Sequence, residues 1–176
     1  MSFAQGLAFT LPTEGGFVDN PNDDGGATDH GITQHVYDGY RAVKGLPIQS
    51  VSLISDQEVD DIYEKIYWIP GHAGELSLAL GVCHFDWCVN HGVKGAIMTL
   101  QQVLGFDTTK VDGVFGPATR TALEGKADKD LVTAYTQARA EWYRAFVARK
   151  PQEAEFLDGW IARDFRLQSY ALGLAA

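Results

Sequence analysis

The stretch EGGFVDNPNDDGGATDHGIT, Glu14 to Thr33, decides how this chain is read. Before it, Phe3, Leu7, Ala8 and Leu11 keep the spacing of a helix face, and Pro12 is expected to reshape the last turn. From Gly15 to Gly31 there are five glycines and Pro21 with no helical period, so a loop or small hairpin is predicted directly after one glutamate. Two uses compete for such a segment. A calcium loop starting at Asn20 would place Asn22, Asp24 and Gly25 at its third, fifth and sixth positions, but its twelfth is Gly31, where a bidentate Glu is required. The calcium pattern therefore fails at its most demanding position, and no metal or other cofactor is expected.

The other use is a carboxylate-lined cleft. Breaking a glycosidic bond takes one carboxylic acid to protonate the leaving oxygen and a second group to position water or stabilise the developing charge. Glu14 closes an apolar helix, and partial burial of a carboxyl favours the protonated form that a donor needs. Gly15 and Gly16 remove side chains that would block a substrate from it. Asp19, Asp23, Asp24 and Asp29 are candidates for the second group, but mutual repulsion makes most of them solvated loop residues or turn formers.

Helical pattern returns outward from this stretch at Gln34–Lys44 and stops at Gly45 and Pro47. It restarts at Ser55-Asp56-Gln57-Glu58, a capping box, and closes at Pro70-Gly71. Glu75–Asn90 is strongly apolar and is expected at the centre of the core. Lys94–Leu104 and Pro117–Glu124 follow as helices, separated by a glycine-bearing turn, with Pro117 suited to a first helical position. Two longer helices, roughly Asp128–Arg149 and Gln152–Leu172, finish the chain. Leu131, Tyr135, Ala138, Trp142 and Phe146 mark the buried face of the first. The expected fold is mainly α, a helical bundle around a central apolar helix with one small β-hairpin near residues 17–32.

The 176 residues fit one globular unit, and a net charge of −9, concentrated in residues 1–125, disfavours nucleic acid as a partner. No apolar run reaches the length of a membrane span, and the first residues lack the basic start and cleavage site of a Sec signal. Cys83 and Cys88 point in different directions from one helix and are expected to be free thiols in a protein made in the cytoplasm. A monomer is expected.

Glu14-Gly15-Gly16-Phe17, Pro21-Asn22-Asp23-Asp24-Gly25-Gly26-Ala27-Thr28 and Gly31-Ile32-Thr33 together resemble glycoside hydrolase family 108, lysozyme-like N-acetylmuramidases of phages and of bacterial secretion-associated loci. Phe85-Asp86-Trp87-Cys88-Val89-Asn90-His91-Gly92 is similar to a helix end of the same family. Leu100 to Gly105 and Val111 to Thr119 resemble a predicted peptidoglycan-binding segment. The resemblance implies a lysozyme-like α+β fold, with a catalytic region at 1–92 and a helical peptidoglycan-binding-like region at 93–176 packed into the same unit. It also implies cleavage of the β-1,4 bond between N-acetylmuramic acid and N-acetylglucosamine in bacterial peptidoglycan. The family's catalytic glutamate falls on Glu14, and the wider phage-lysozyme pattern adds Asp23 and Thr28. His30 stands where many relatives carry a tyrosine.

A groove between the Gly15–Gly31 loop and the central helices is expected to hold the glycan. Phe17, His30, Tyr67 and Trp68 are candidate sugar contacts. Asp86 and Asn90, one helical turn apart, could either bond sugar or tie the helix end to its loop. Asp112-Gly113 and Gly116-Pro117 could serve a ligand or simply shape a turn. The enzyme would reach the wall through a holin-like pore or another non-Sec path, as a phage endolysin or a secretion-assisting enzyme. Two other classes compete. One is a wall peptidase using Cys83 or Cys88 with a histidine, disfavoured because the thiols sit inside an apolar helix. The other is a non-catalytic peptidoglycan-binding protein, disfavoured by Glu14, Asp23 and Thr28 occurring together.

Overall fold

In the computed structural model, which describes residues 2–18 and 27–175, the apolar spacing of the first residues forms helix α1, Ser2–Thr10. It tightens into a 3-10 turn, Leu11–Thr13, where Pro12 contributes no backbone donor. The chain divides into two compact units, Leu7–Ile66 and a larger one of Met1–Gly6 with Tyr67–Ala176.

In the smaller unit the expected hairpin has strands β1, Thr28–Asp29, and β2, Ile32–Thr33, antiparallel with Thr28 opposite Thr33. His30 and Gly31 turn it with φ values of 50° and 70°, the two positive values a tight two-residue turn requires. Val18 and Thr28 exchange backbone hydrogen bonds at 2.8 Å in each direction, which brings the far end of the loop back to the hairpin. Helix α2, Gln34–Val43, starts on Thr33, whose hydroxyl accepts from the Val36 amide. Helix α3, Asp56–Tyr63, starts on the expected Ser55–Glu58 capping box. Arg41 joins α2 to α3 through Glu58 at 2.6 Å and to the intervening loop through the Pro47 carbonyl at 2.6 Å.

In the larger unit, helix α4, Leu78–His91, is buried at every position from Ala79 to Cys88. Each large apolar side chain buried in this way contributes roughly 1.5–3 kcal/mol. Around α4 pack α5, Val93–Val103, α7, Asp128–Arg149, and α8, Leu157–Leu174, while α6, Pro117–Leu123, begins at Pro117 as expected. Residues 151–156 form a 3-10 turn ahead of α8, so α8 begins at Leu157 and not near Gln152. Glu64–Trp68 is a π-helical turn that the sequence pattern does not announce. Cys83 and Cys88 are free and buried. Among the described residues no helix is long and apolar enough to cross a membrane.

Candidate active site

Glu14 ends the 3-10 turn, its amide donating to the Leu11 carbonyl at 3.1 Å, and is neither buried nor fully exposed. Its side chain runs against the hairpin turn. A Cβ on Gly31 would stand 3.2 Å from Glu14 Oε2, 3.3 Å from Glu14 Cβ and 3.0 Å from Tyr63 Oη. Tyr63, at the end of α3, donates its hydroxyl to the His30 carbonyl at 2.7 Å. Glycine at 31 is thus needed twice, for its positive φ and for the close approach of a carboxylate and a phenol. A Cβ added at Gly15 or Gly16 would meet nothing within 4 Å among the described residues.

Of the other expected site residues in this unit, Thr28 lies in β1 and Phe17 is 50% exposed. His30 holds its Nδ1 2.9 Å from Asp29 Oδ1 at the hairpin turn, and Asp29 itself is buried. Asp23, with Asp19 and Asp24, lies outside the described residues.

The remaining expected contacts belong to the larger unit, and two of them are corrected by burial. Trp68 is 7% exposed and packs edge-on against Phe3 and Phe85, with ring centroids 5.6 and 5.4 Å away, which makes it a core residue. Tyr67, in the π turn, is part-buried. Asp86 has no exposed surface to offer a sugar. Its two oxygens meet Arg139 Nη2 at 2.8 Å and Arg163 Nη2 at 2.7 Å, so it ties α4 to α7 and α8. Burial alone would push the Asp86 carboxyl up, but the two guanidiniums outweigh it and hold it below the usual range. Asn90, itself exposed, donates to the Asp86 carbonyl at 2.6 Å.

The Asp112 turn closes on itself in the same manner. Gln101, buried in α5, donates to Asp112 Oδ1 at 2.7 Å and accepts from the Asp112 and Gly113 amides at 3.0 Å each. The cysteine alternative loses its chemistry to burial, which pushes the Cys83 thiol up to about 12 and the Cys88 thiol further still. His84 is committed to Tyr135 Oη at 2.8 Å and the Gly71 carbonyl at 3.0 Å. Among the described residues no three His, Cys, Asp or Glu side chains gather as a metal site.

Tyr63 and Arg139 were not among the residues expected to matter. Tyr63 reads in sequence as one more apolar position of α3, after Val59 and Ile62, and only the fold brings its hydroxyl to the hairpin. Arg139 looks like a solvated charge on a long helix, and its acidic partner is 53 residues away in sequence.

Comparison with known proteins agrees with this geometry. Residues 7–92 match the family described as Glycosyl hydrolase 108, and residues 95–165 match the Predicted Peptidoglycan domain. Among solved structures, that of Brucella abortus SagA is similar, with 29% identity, a TM-score of 0.79 and coverage of 99% of this chain and 95% of that one. A comparison with curated proteins finds no match. The acid at a helix end beside a two-residue hairpin thus lies within the stretch that matches glycosyl hydrolase family 108, and a helical region that matches a predicted peptidoglycan domain follows it.

Proposed function

We propose that the chain is an N-acetylmuramidase, cleaving the β-1,4 bond between N-acetylmuramic acid and N-acetylglucosamine with Glu14 as general acid. The observation that carries this reading is the setting of Glu14, a half-buried carboxylate lodged against the Gly31 turn and followed by two glycines where an added Cβ would meet nothing among the described residues. Glu14 gives its proton to the glycosidic oxygen as the C1–O bond breaks, so the leaving sugar departs as a neutral alcohol. Asp23 and Thr28 are assigned the task of placing water on the opposite face, which gives inversion if the two carboxyls stand about 6.5–9.5 Å apart. Attack by the substrate's own N-acetyl group would use Glu14 in the same way, and trapping the first-formed anomer by NMR separates the two routes. Phe17, half exposed, is the aromatic best able to stack on a sugar, and His30 lies at the hairpin turn with part of its ring open to solvent. The net charge of −9 matches a wall rich in peptide carboxylates poorly, so recognition rests on hydrogen bonds and stacking. In this reading the enzyme serves phage-driven lysis, released to the wall through a holin-type pore.

Turbidity loss of purified sacculi tests the assignment. Glu14→Gln keeps the shape and removes the proton, and clearing is expected to slow by about 10²–10⁴-fold. If wild type and variant clear sacculi equally, Glu14 is not the acid; if neither clears them, the chain is a non-catalytic binder.

A further inference from the structure

The larger unit holds a cavity that the proposed reaction does not use. It lies between α7 and α8, encloses about 180 Å³, and is lined by Asp164 together with Ala140, Arg144, Ile161 and Phe165. It is partly open to solvent, and its volume admits a small polar group.

Most hydrogen-bonding groups around it are already engaged within the two helices. Thr133 donates to the Lys129 carbonyl at 2.8 Å and Thr136 to the Val132 carbonyl at 2.9 Å. Gln168 donates to the Thr136 hydroxyl at 2.9 Å and Gln137 to Glu141 at 3.0 Å. Asp164 differs. Its side chain is 4% exposed, its Oδ1 lies 2.8 Å from Arg139 Nη2, and its Oδ2 has no hydrogen-bond partner among the described residues. Arg139 is shared with Asp86 and the Cys83 carbonyl, so it does not satisfy Asp164 fully. Burial pushes the Asp164 carboxyl up to about 6 despite that guanidinium. A buried carboxylate oxygen without a donor is costly and calls for a partner. Arg144, also lining the cavity, is exposed and makes no ion pair among the described residues. Ile161, Phe165 and Ala140 supply apolar wall beside the two charges.

An inner anion, an outer guanidinium and an apolar wall are complementary to an ammonium and a carboxylate carried on a short aliphatic stem. We propose that this cavity binds the zwitterionic amino-acid end of a wall peptide, its ammonium on Asp164 and its carboxylate on Arg144. The proposal rests on the wall polymer being the substrate, and it assigns α7 and α8 to the peptide stem and the Glu14 region to the glycan.

Titration calorimetry on the full chain tests it with two probes, the tripeptide L-Ala-γ-D-Glu-meso-diaminopimelate and the same peptide acetylated on its free side-chain amine. The free amine is expected to bind and the acetylated peptide to bind roughly 30-fold more weakly. Arg144→Ala, at an exposed position, and Ala140→Phe, which fills the cavity and leaves the Asp164–Arg139 contact in place, should each weaken the tripeptide comparably. Equal binding of the two probes, or unchanged binding by both variants, overturns the proposal. Digestion of peptide-free glycan strands, run in parallel, keeps the two readings apart. A chain that digests the strands and ignores the tripeptide loses the cavity proposal alone. One that binds the tripeptide through Asp164 and Arg144 without digesting the strands loses the hydrolase assignment alone.

Discussion

In the larger unit helix α4 is buried over the consecutive residues Ala79 to Cys88, whereas among the described residues of the smaller unit buried positions come singly or as the pair Ile62 and Tyr63. Both contain an arginine–carboxylate pair, and the two pairs differ in the same direction. Arg139 meets Asp86 and Asp164 with no exposure of its own, while Arg41 meets Glu58 at 2.6 Å with 8% and 15% of their side chains exposed. Arg41 also bonds Tyr37 and the Pro47 carbonyl, so side-chain hydrogen bonds work beside the burial of Tyr37, Val59, Ile62 and Tyr63 in holding α2 and α3. The lesson is that the unit carrying the acid has the sparser core and the more exposed ion pair, and the unit without it the denser core and the fully buried pair. Such a division lets the Glu14 region present glycines and open backbone that a tightly packed core would not tolerate.

The sharpest way to break the comparison is to remove each arginine. Arg139→Met removes the guanidinium beside Asp164 and leaves Asp86 with Arg163 and Asn90, and is expected to cost about 3–5 kcal/mol in urea unfolding. Arg41→Met leaves Glu58 with Tyr37, Ser55 and nearby solvent, and is expected to cost about 1–3 kcal/mol. All four tryptophans lie in the larger unit, so fluorescence reads the first loss, and amide exchange in α2 and α3 reads the second. Equal costs would mean that the two pairs are equally desolvated and that the contrast is only one of appearance.

A second test uses pH, because the larger unit buries titratable groups of opposite sense. Burial pushes the His84 imidazole down to about 4 from its ordinary 6.5, so between these values the unfolded chain binds a proton that the folded chain refuses. Stability therefore falls as pH drops through that window. Asp164, pushed up to about 6, keeps its proton in the folded chain where the unfolded chain has lost it, and so favours folding as pH falls from 6 toward its ordinary 3.8. The two slopes oppose each other between pH 4 and 6. His84→Gln preserves a donor for the Gly71 carbonyl and an acceptor for Tyr135, and removes one slope, worth up to about 3 kcal/mol. Stability of the variant should then rise as pH falls from 6 to 4, relative to wild type. An unchanged pH profile would mean that His84 takes up its proton inside the fold.

How much of this was legible beforehand follows the same division. The apolar run of α4, the Ser55–Glu58 box and the hairpin of Thr28–Asp29 with Ile32–Thr33 are written in adjacent residues, and each forms as the local pattern requires. Glu14 could be singled out because a lone acid before two glycines is a local signature. Trp68 reads as a candidate sugar contact and Asp86 stays open between sugar and structure, because an aromatic and a carboxylate look the same in sequence whether they face a cleft or a core. What decides for Asp86 is Arg139 and Arg163, 53 and 77 residues further on, and no local period reports that distance. Tyr63 was missed for the converse reason, a polar hydroxyl concealed in an apolar helix face.

The smallest expected change in stability is also the one that bears most directly on the proposed acid. Gly31 and Gly45, both in the smaller unit, have φ values of 70° and 68°, so alanine at either pays the same left-handed strain of about 1–2 kcal/mol. Their surroundings differ. A methyl at 45 would meet nothing within 4 Å, whereas at 31 it would press on Glu14 Oε2, Glu14 Cβ and Tyr63 Oη at 3.0 to 3.3 Å, distances at which the neighbours must give way by a few tenths of an ångström. Misplacing a catalytic group is costly far beyond the energy of the displacement, since a shift on the order of 1 Å can lower a rate about 10²-fold. Gly31→Ala and Gly45→Ala should therefore unfold at nearly the same urea concentration but part in sacculus clearing, with Gly45→Ala close to wild type and Gly31→Ala slowed several-fold or more. If both clear sacculi at the wild-type rate while losing equal stability, the seat that Gly31 provides for Glu14 has no part in the chemistry, and the acid must be sought elsewhere in the chain.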